Sequence, residues 1–319
     1  MPGPRAAVDI GSNTLRLLIA EPSAQPGTPW HDVHRAHRIV RLGEGLHASG
    51  RLSEPGMARA LAALQEFAQL ITAHDARLDQ THAVATAAMR EAENGREFRD
   101  RIEAETGIRV QIIDGETEAR LSLAGAMAVL HADTRADMLL FDIGGGSTEF
   151  IRVRGEALVD AVSRRLGVVR LVEAHLRSDP PSAEDYRAMV RTAGMHLDAV
   201  ADGWPDGKPP RHLVGTAGTV TTLAAVHLDL YPYDIARINN LGMSRVEFTA
   251  LRDRLLAMNH AERQGVRTIE PGRADLIVAG LAIIDAILER WHYPELIVVD
   301  AGLLEGAWLK APSSPYDAL

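Results

Sequence analysis

Two segments of the sequence combine an aspartate with a glycine-rich turn. Residues 6–20 read AAVDIGSNTLRLLIA, and residues 139–151 read LLFDIGGGSTEFI. In both, apolar residues lead into Asp-Ile-Gly, and a hydroxyl residue (Thr14 or Ser147) lies five positions after the aspartate. Glycine permits turn conformations closed to other residues and lets backbone N–H groups approach an anion. An aspartate there would repel phosphate unless it held a cation, so the combination indicates a phosphate site with a metal.

The similarity between the two segments is stronger evidence for a functional loop than either segment alone. Each predicts a strand, a turn and a second strand, and a single Asp-x-Gly hairpin of this kind is as often a plain tight turn. Two copies whose aspartates are 133 positions apart (142 − 9) predict two related domains whose loops face each other across a cleft. A third glycine segment at 213–226, LVGTAGTVTTLAAV, predicts a strand followed by a helix whose N-terminus points at an anion.

The rest of the sequence supplies the elements that must position these loops. Helical periodicity alternates with short β-rich runs, which predicts an α/β fold. The predicted helices are residues 53–73, 116–130, 182–200, 245–259 and 274–291, and the predicted strands are residues 81–86, 109–113, 138–142, 212–215 and 295–300.

Length and composition restrict the class of protein. A chain of 319 residues is long for a single core and suits two domains. The net charge of −9 argues against general nucleic-acid binding, which needs a basic excess. The absence of cysteine removes thiol chemistry and disulfides. It also agrees with a cytoplasmic protein, as does the lack of an apolar leader or a membrane-spanning run.

Further segments, in order along the chain, carry a resemblance to a known family. They are RLGEGL (41–46), VATAAMREAENG (84–95), IIDGETEARLSLAGA (112–126), SRRLGVVRL (163–171) and PGRAD (271–275). With the glycine segments they make nearly the whole chain resemble the exopolyphosphatase and guanosine pentaphosphate phosphohydrolase family, in a short two-domain form. That family is part of the actin, hexokinase and chaperone ATPase superfamily.

The resemblance implies an α/β fold with two ribonuclease-H-like domains and an active-site cleft between them. The first domain is expected over residues 1–123, with a C-terminal helix over 303–315 as a candidate completion, and the second over 124–302.

The resemblance places the family's catalytic glutamate at Glu118, in GETEARL. Phosphoryl transfer to water needs an oriented nucleophile and neutralised charge, and a carboxylate near the start of a helix could orient and deprotonate that water. A single glutamate on a helix is usually just solvated, so the assignment depends on the surrounding segment. Glu116 is the alternative.

The resemblance also implies the phosphate and metal residues. Asp142 and Glu149 match acidic positions linked to the metal, and they suit Mg²⁺ or another divalent cation such as Mn²⁺, since Mg²⁺ binds a few carboxylates together with water and phosphate oxygens. Arg90 matches a phosphate-binding arginine, and Asp9 is predicted to orient its own hairpin or a metal-bound water. The phosphates are expected at the backbone amides of Ser12, Asn13, Gly144, Gly145, Gly146 and Ser147.

The expected function is hydrolysis of the terminal phosphoanhydride bonds of inorganic polyphosphate, with release of orthophosphate. Longer family members continue into a helical domain that this sequence lacks, so a preference for short chains is expected. The main alternative is a guanosine pentaphosphate 5'-phosphohydrolase. Others are a small-molecule kinase of the same superfamily and a non-catalytic polyphosphate or nucleotide sensor.

We expect a homodimer, with neither nucleic acid nor membrane as a partner. Arg164 and Arg165 either face solvent or reach the cleft.

Overall fold

A computed structural model of the chain describes residues 3–23, 28–204 and 208–310. The chain divides into two compact units. Unit 1 is Met1–Val129 together with Ala301–Leu319, and unit 2 is Leu130–Asp300. The division therefore follows Val129, whereas the sequence suggested one after residue 123. Of the C-terminal helix expected over 303–315, residues 303–309 form a helix in unit 1, and residues 311–315 lie outside the described ranges.

The two units are built on the same sheet plan. In unit 1 the strand order is β3-β2-β1-β4-β5, and in unit 2 it is β10-β11-β9-β6-β7-β8. Each sheet begins with three antiparallel strands and adds two strands parallel to the first of them. In unit 2, β10 adds an antiparallel edge. The strands are β1 (Arg5–Ile10), β2 (Thr14–Pro22), β3 (Trp30–Ile39), β4 (His82–Ala85), β5 (Val110–Ile112), β6 (Asp137–Ile143), β7 (Thr148–Arg154), β8 (Ala157–Arg164), β9 (His212–Thr216), β10 (Leu241–Ser244) and β11 (Glu295–Val298).

Helices fill the chain between the strands, which confirms the predicted α/β class. The helices are α1 (Leu46–Ser49), α2 (Glu54–Ala73), α3 (Ala87–Glu91), α4 (Gly95–Thr106), α5 (Gly115–Met127), α6 (Ala132–Ala136), α7 (Val168–His175), α8 (Ala183–Ala201), α9 (Ala217–His227), α10 (Ile235–Ile238), α11 (Arg245–Leu256), α12 (His260–Gln264), α13 (Ile277–Trp291) and α14 (Leu303–Leu309). Short 3-10 helices lie at Leu78–Gln80 and Pro271–Arg273.

All ten predicted elements are present, with ends shifted by a few residues. The start of α2 shows why local sequence sufficed there. The Ser53 side chain accepts a hydrogen bond from Gly56 N, and a proline occupies the first turn, which is the usual chemistry of a helix start. The pattern did not predict α4 or α7. α7 begins after Gly167, which offers no side-chain cap, and Asn94 before α4 bonds the backbone of Leu52 instead of capping the helix.

In unit 1, α14 packs closely against α5. A β-carbon on Gly125 would lie 2.0 Å from Gly302 O, and one on Gly306 would lie 1.8 Å from Leu121 O, so these glycines let the two backbones touch. Trp308 is fully buried beside them and donates from its indole nitrogen to Arg5 O. The C-terminal helix therefore fixes the helix that begins at Gly115.

Each unit has its own apolar core. In unit 1 the core lies on both faces of the sheet, and in unit 2 it surrounds α13. The inner strands β1 and β6 are buried almost throughout, as strands covered on both faces are. Within the described residues, no helix is both long enough and apolar enough to span a bilayer.

Candidate active site

The first loop, residues 11–14, joins β1 to β2 in unit 1. Gly11 N donates to Thr14 O at 3.1 Å and closes the turn. The carbonyl oxygens of Ser12 and Asn13 accept hydrogen bonds from the segment that follows β3. Within the described ranges, the N–H groups of Ser12 and Asn13 have no acceptor, as expected for a turn that binds an anion. The donors to the two carbonyls are the backbone N–H groups of Val40, Arg41 and Gly43.

The second loop, residues 144–147, joins β6 to β7 in unit 2 and repeats this geometry. Gly144 N donates to Ser147 O at 2.9 Å, so this amide, one of those predicted to bind phosphate, is instead bonded within the turn. The three glycine carbonyls accept hydrogen bonds from the start of α7, so the loop's remaining N–H groups, at Gly145, Gly146 and Ser147, find no acceptor in the part of the chain described. The donors are Val168 N, Val169 N and Arg170 Nε, at 3.1, 3.0 and 2.9 Å.

The start of α7 can brace the second loop because Gly167 has no side chain. A β-carbon at Gly167 would lie 2.2 Å from Gly145 O, far inside van der Waals contact. The brace of the first loop is less tight, since a β-carbon at Gly43 would lie 3.0 Å from Ser12 Cβ. Both loops thus present backbone donors outward while a neighbouring segment holds their carbonyls.

The aspartate of the first hairpin is neutralised by an arginine on the paired strand. Asp9 and Arg16 are register partners, and Arg16 donates from Nε and Nη2 to Asp9 Oδ2 at 3.0 and 2.8 Å. Burial raises the pKa of Asp9; Arg16 opposes this rise, and the negative charge of Glu305 adds to it. Asp9 Oδ1 is buried without a hydrogen-bond partner among the described residues. This supports the predicted orienting role within the hairpin.

Glu305 is the second buried carboxylate of this network. Arg35 Nη1 donates to its Oε1 at 2.6 Å, and Gly302 N donates to Oε2 at 2.9 Å. Burial opposes ionisation, but the charge of Arg35, with that of Arg16, holds the pKa of Glu305 below its usual value. Two buried carboxylates therefore share two arginines behind the first hairpin, and the more exposed Asp32 also pairs with Arg35.

The second hairpin instead sets two carboxylates against each other. Asp142 and Glu149 are register partners on β6 and β7, and they are only 7% and 1% exposed. Ser163 Oγ donates to Glu149 Oε1 at 2.7 Å from β8. Like charges directly opposite in a sheet destabilise it, and burial increases that cost. A cation between the strands would remove the conflict.

The donor set at this position fits a hard divalent cation. Mg²⁺ and Mn²⁺ prefer oxygen ligands, and Mg²⁺ commonly takes one or two protein carboxylates together with water and phosphate oxygens. Across the described ranges, no group of three or more His, Asp or Glu residues is placed to hold a metal ion, so a cation bound by these two carboxylates would need water and phosphate oxygens as its other ligands. Asp142 and Glu149 are therefore the residues that would hold Mg²⁺ here.

The geometry around Glu118 favours it over Glu116 as the base. Asp114 caps α5 by accepting from Thr117 N at 2.8 Å, which fixes the first turn. Glu118 is buried there, and Arg90 Nη1 donates to its Oε2 at 2.8 Å. Glu116 lies on the exposed face and pairs with Arg120 one turn along the helix.

Parallel strands bring the unit 1 candidates to one sheet edge. In the register of β1, β4 and β5, Ile10 pairs with Ala85, and Ala85 with Ile112. The first loop, α3 with Arg90 and α5 with Glu118 follow directly at the carboxyl ends of these strands. Arg90 also donates to Ile113 O at 2.9 Å. Its predicted contact with phosphate stays a prediction.

In unit 2, Asp142, the second loop and Glu149 lie together because they belong to one hairpin. Asp142 also pairs with Thr216 of β9, so the start of α9 lies next to the carboxylates. This is the helix start that the third glycine segment predicted.

Sequence reasoning assigned no role to Arg273, which the structure places at the start of α9. Its guanidinium lies on Gly218, where a β-carbon would be 1.8 Å from Nη1. Arg273 Nε donates to Glu270 Oε2 at 2.7 Å, which holds the side chain there. The segment PGRAD is one of those that carry the family resemblance. Only the tertiary structure brings its arginine to the glycine segment 55 positions earlier (273 − 218).

The chain is similar over nearly its full length to known proteins. The model of the Ppx/GppA phosphatase family matches residues 18–312. Exopolyphosphatase 2 of Mycobacterium tuberculosis is 35% identical over 315 residues, which cover 94% of this chain and 96% of that protein. The crystal structure of the Aquifex aeolicus member of the Ppx/GppA family is 31% identical with a TM-score of 0.79 and covers 97% of both chains. An exopolyphosphatase from Cytophaga hutchinsonii is 28% identical with a TM-score of 0.86, covering 96% of this chain and 97% of its own.

Proposed function

Because the chain belongs to the Ppx/GppA phosphatase family, as its segments predicted, we propose that it hydrolyses the terminal phosphoanhydride bond of inorganic polyphosphate and releases orthophosphate. Membership of this family makes the chain a phosphoanhydride hydrolase. The observation that carries the choice of substrate chemistry is the second hairpin, where two buried carboxylates face each other beside a loop of backbone donors. That combination suits a metal-bound phosphate.

Glu118 acts as the general base in this proposal. Arg90 holds the carboxylate in place, so that it can accept a proton from a water molecule aimed at the terminal phosphorus. The water oxygen forms the new P–O bond, the bridging P–O bond breaks, and the shortened chain leaves with the bridging oxygen. Positioning and electrostatics supply most of the acceleration in such transfers.

The phosphate groups are bound by backbone and cation together. The N–H groups of both loops would donate to phosphate oxygens. In unit 2 these donors are the N–H groups of Gly145, Gly146 and Ser147. Mg²⁺ bound by Asp142 and Glu149 would neutralise charge on the transferring group. The proposal requires that the Glu118 set and the Asp142 set act on the same substrate.

We also propose a preference for short chains. A long polymer carries one charge per unit, and a protein with a net charge of −9 offers little attraction to its distant part. The contacts nearest the reacting end should dominate affinity. The cytoplasmic location and the homodimer stay predictions.

Phosphate release from short polyphosphate, long polyphosphate and guanosine pentaphosphate, measured side by side, tests this function. We expect the highest kcat/KM with short polyphosphate and no release in excess chelator. A higher kcat/KM with guanosine pentaphosphate would favour the nucleotide phosphohydrolase instead. Tight binding of polyphosphate without any release would indicate a sensor. On a gel, distributive action gives a gradually shortening ladder, whereas full-length polymer with free phosphate alone would show processive action.

A further inference from the structure

A group of basic side chains lies behind the second loop, within unit 2. Arg170, in the first turn of α7, donates from Nε to Gly146 O at 2.9 Å. Arg164 is the last residue of β8 and the register partner of Thr148, the residue that directly follows the loop. His196 comes from α8 and is half-buried. Burial lowers the pKa of His196, and the positive charges of Arg164 and Arg170 lower it further, so both arginines lie near this imidazole.

Arg164 differs from most arginines of this chain in its partners. Its Nε atom is buried without an acceptor, and within residues 3–23, 28–204 and 208–310 no carboxylate lies within ion-pair distance of its guanidinium. A buried donor without an acceptor costs free energy, and so does a partly buried charge without a counter-ion. An anion brought by a ligand would satisfy both, and a guanidinium fork matches phosphate oxygens well.

The metal carboxylates do not fill this role because they belong to the other face of the hairpin. Ser163 precedes Arg164 on β8, so their side chains point to opposite faces, and it is Ser163 that binds Glu149. The positive charge of Arg164 therefore lies a short distance from the loop that would hold the terminal phosphate. No feature of the sequence pattern distinguished it from a solvated surface.

We propose that Arg164, Arg170 and His196 bind the phosphoryl groups that follow the reacting end of a linear phosphate chain. This site rests on the proposed function and names where the rest of the substrate goes. The arginines supply charge, and a neutral imidazole still donates one N–H group to a phosphate oxygen. Three side chains can contact only a few phosphoryl units. The benefit of added chain length should therefore rise over the first units and then level off.

Steady-state phosphate release by Arg164→Gln tests the site, with tripolyphosphate and a defined long polymer as substrates. We expect kcat/KM for the long polymer to fall about tenfold, the loss of one charged hydrogen bond, and to fall less than about threefold for tripolyphosphate. The slope of log kcat/KM against log salt for the long polymer should become shallower by about one. Arg164→Lys should recover part of the loss because it keeps the charge.

Arg211→Gln is the matched control. Arg211 lies just before β9, at the opposite end of the sheet from the loop, and pairs with Asp133 on the surface. It should behave as wild type with both substrates. The site would be overturned if Arg164→Gln lowered kcat/KM equally on both substrates, or only in proportion to a lowered thermal unfolding midpoint. Either result would mean that the basic group only braces the loop.

Equilibrium binding separates failure of this site from failure of the proposed function. If the wild-type protein releases no phosphate from either substrate, the proposed hydrolysis is wrong. Titration of fluorescently labelled long polyphosphate into wild type and Arg164→Gln then still decides the site. A dissociation constant about tenfold higher in the variant supports the site, and equal constants overturn it.

Discussion

The hairpins of the two units have the same loop geometry and opposite electrostatics. In each loop, the N–H group of the first glycine donates to the carbonyl oxygen of the fourth residue. The aspartate lies two positions before that glycine, and its register partner on the next strand is the residue seven positions after the aspartate (16 − 9 and 149 − 142). That residue is Arg16 in unit 1 and Glu149 in unit 2. The first hairpin thus has an ion pair in register, and the second has two carboxylates in register, a pair that would suit a divalent cation.

The same hairpin geometry therefore carries an ion pair in one unit and a pair of carboxylates in the other. In unit 1, Asp9 pairs with Arg16, and the proposed base is Glu118, at the same sheet edge. In unit 2, the register partners are the two carboxylates Asp142 and Glu149, which would hold the cation in the proposed function. In the proposed function unit 1 supplies the base and unit 2 supplies the cation site. Substitutions in the two units should therefore respond differently to magnesium.

The largest effect is expected from Glu118→Gln in unit 1. Turnover should fall about 100-fold to 10,000-fold, the range for loss of a general base, while the Mg²⁺ concentration for half-activation stays the same. Steady-state rates over a Mg²⁺ titration measure both quantities. Glu116→Gln is the control, since Glu116 is exposed and pairs with Arg120 on the same helix. Near-normal turnover by Glu118→Gln would remove it from the mechanism.

Asp142→Asn tests the other half of the comparison. One of two opposed carboxylates becomes neutral, so the Mg²⁺ concentration for half-activation should rise at least about tenfold, since even indirect metal partners contribute that much. Asp137→Asn, at the other end of β6, should leave the titration unchanged. If activity persists in chelator in both the wild type and Asp142→Asn, the metal assignment is wrong.

A third prediction compares the braces of the two loops. Gly167→Ala should push Gly145 out of place and raise KM about tenfold, with a destabilisation of about 1–3 kcal/mol from overpacking. Gly43→Ala should change KM by less than about threefold, since its β-carbon would lie 3.0 Å from Ser12 Cβ and a far smaller shift relieves that contact than the 2.2 Å contact at Gly167. Kinetics and thermal unfolding of both variants decide it. Equal KM values in the two variants would show that the braces are equivalent.

Substitution of a glycine within the second loop addresses the same donors directly. Gly145→Val adds a branched side chain where phosphate would approach and restricts the turn. We expect weaker substrate binding and slower release of phosphate. Unaltered affinity and rate would argue against a phosphate-binding role for the loop.

The smallest effect concerns the helices that begin at each candidate site. Asp114 caps α5, and its hydrogen bonds with Thr117 lower its pKa, whereas Thr216 at the start of α9 makes no side-chain cap. Asp114→Ala should cost about 1 kcal/mol of unfolding free energy at neutral pH. A lowered folded-state pKa means that the contribution is present above the unfolded value near 4 and is lost as pH falls through the folded value.

Denaturant titrations of Asp114→Ala and wild type at several pH values measure this contribution. The difference between them should shrink below about pH 4. Thr216→Ala is the comparison in unit 2, and no cap hydrogen bond is removed there. A pH-independent difference for Asp114→Ala would mean that the carboxylate charge does not matter at this cap.

Local patterns in the sequence determined the hairpins, six of the fourteen helices in the described residues and the α/β class. Asp-Ile-Gly followed by glycine or serine dictates a turn whatever surrounds it, because backbone freedom is a property of the residue itself. Apolar periodicity likewise specifies which face of a segment is buried. Even the opposition of Asp142 and Glu149 follows from the sequence once the four-residue loop fixes the register.

Contacts between residues distant in sequence were decided only by the tertiary structure. Arg90 meets Glu118 because parallel strands end at one edge, Arg35 meets Glu305 across 270 positions, and Arg273 lies on Gly218. The bracing of the second loop by α7 is another contact between distant residues. The sequence does not predict α7, because this helix has no side-chain cap and is only 8 residues long. Such pairings depend on how whole elements pack, and no local periodicity or turn chemistry encodes which packed neighbour a side chain will meet.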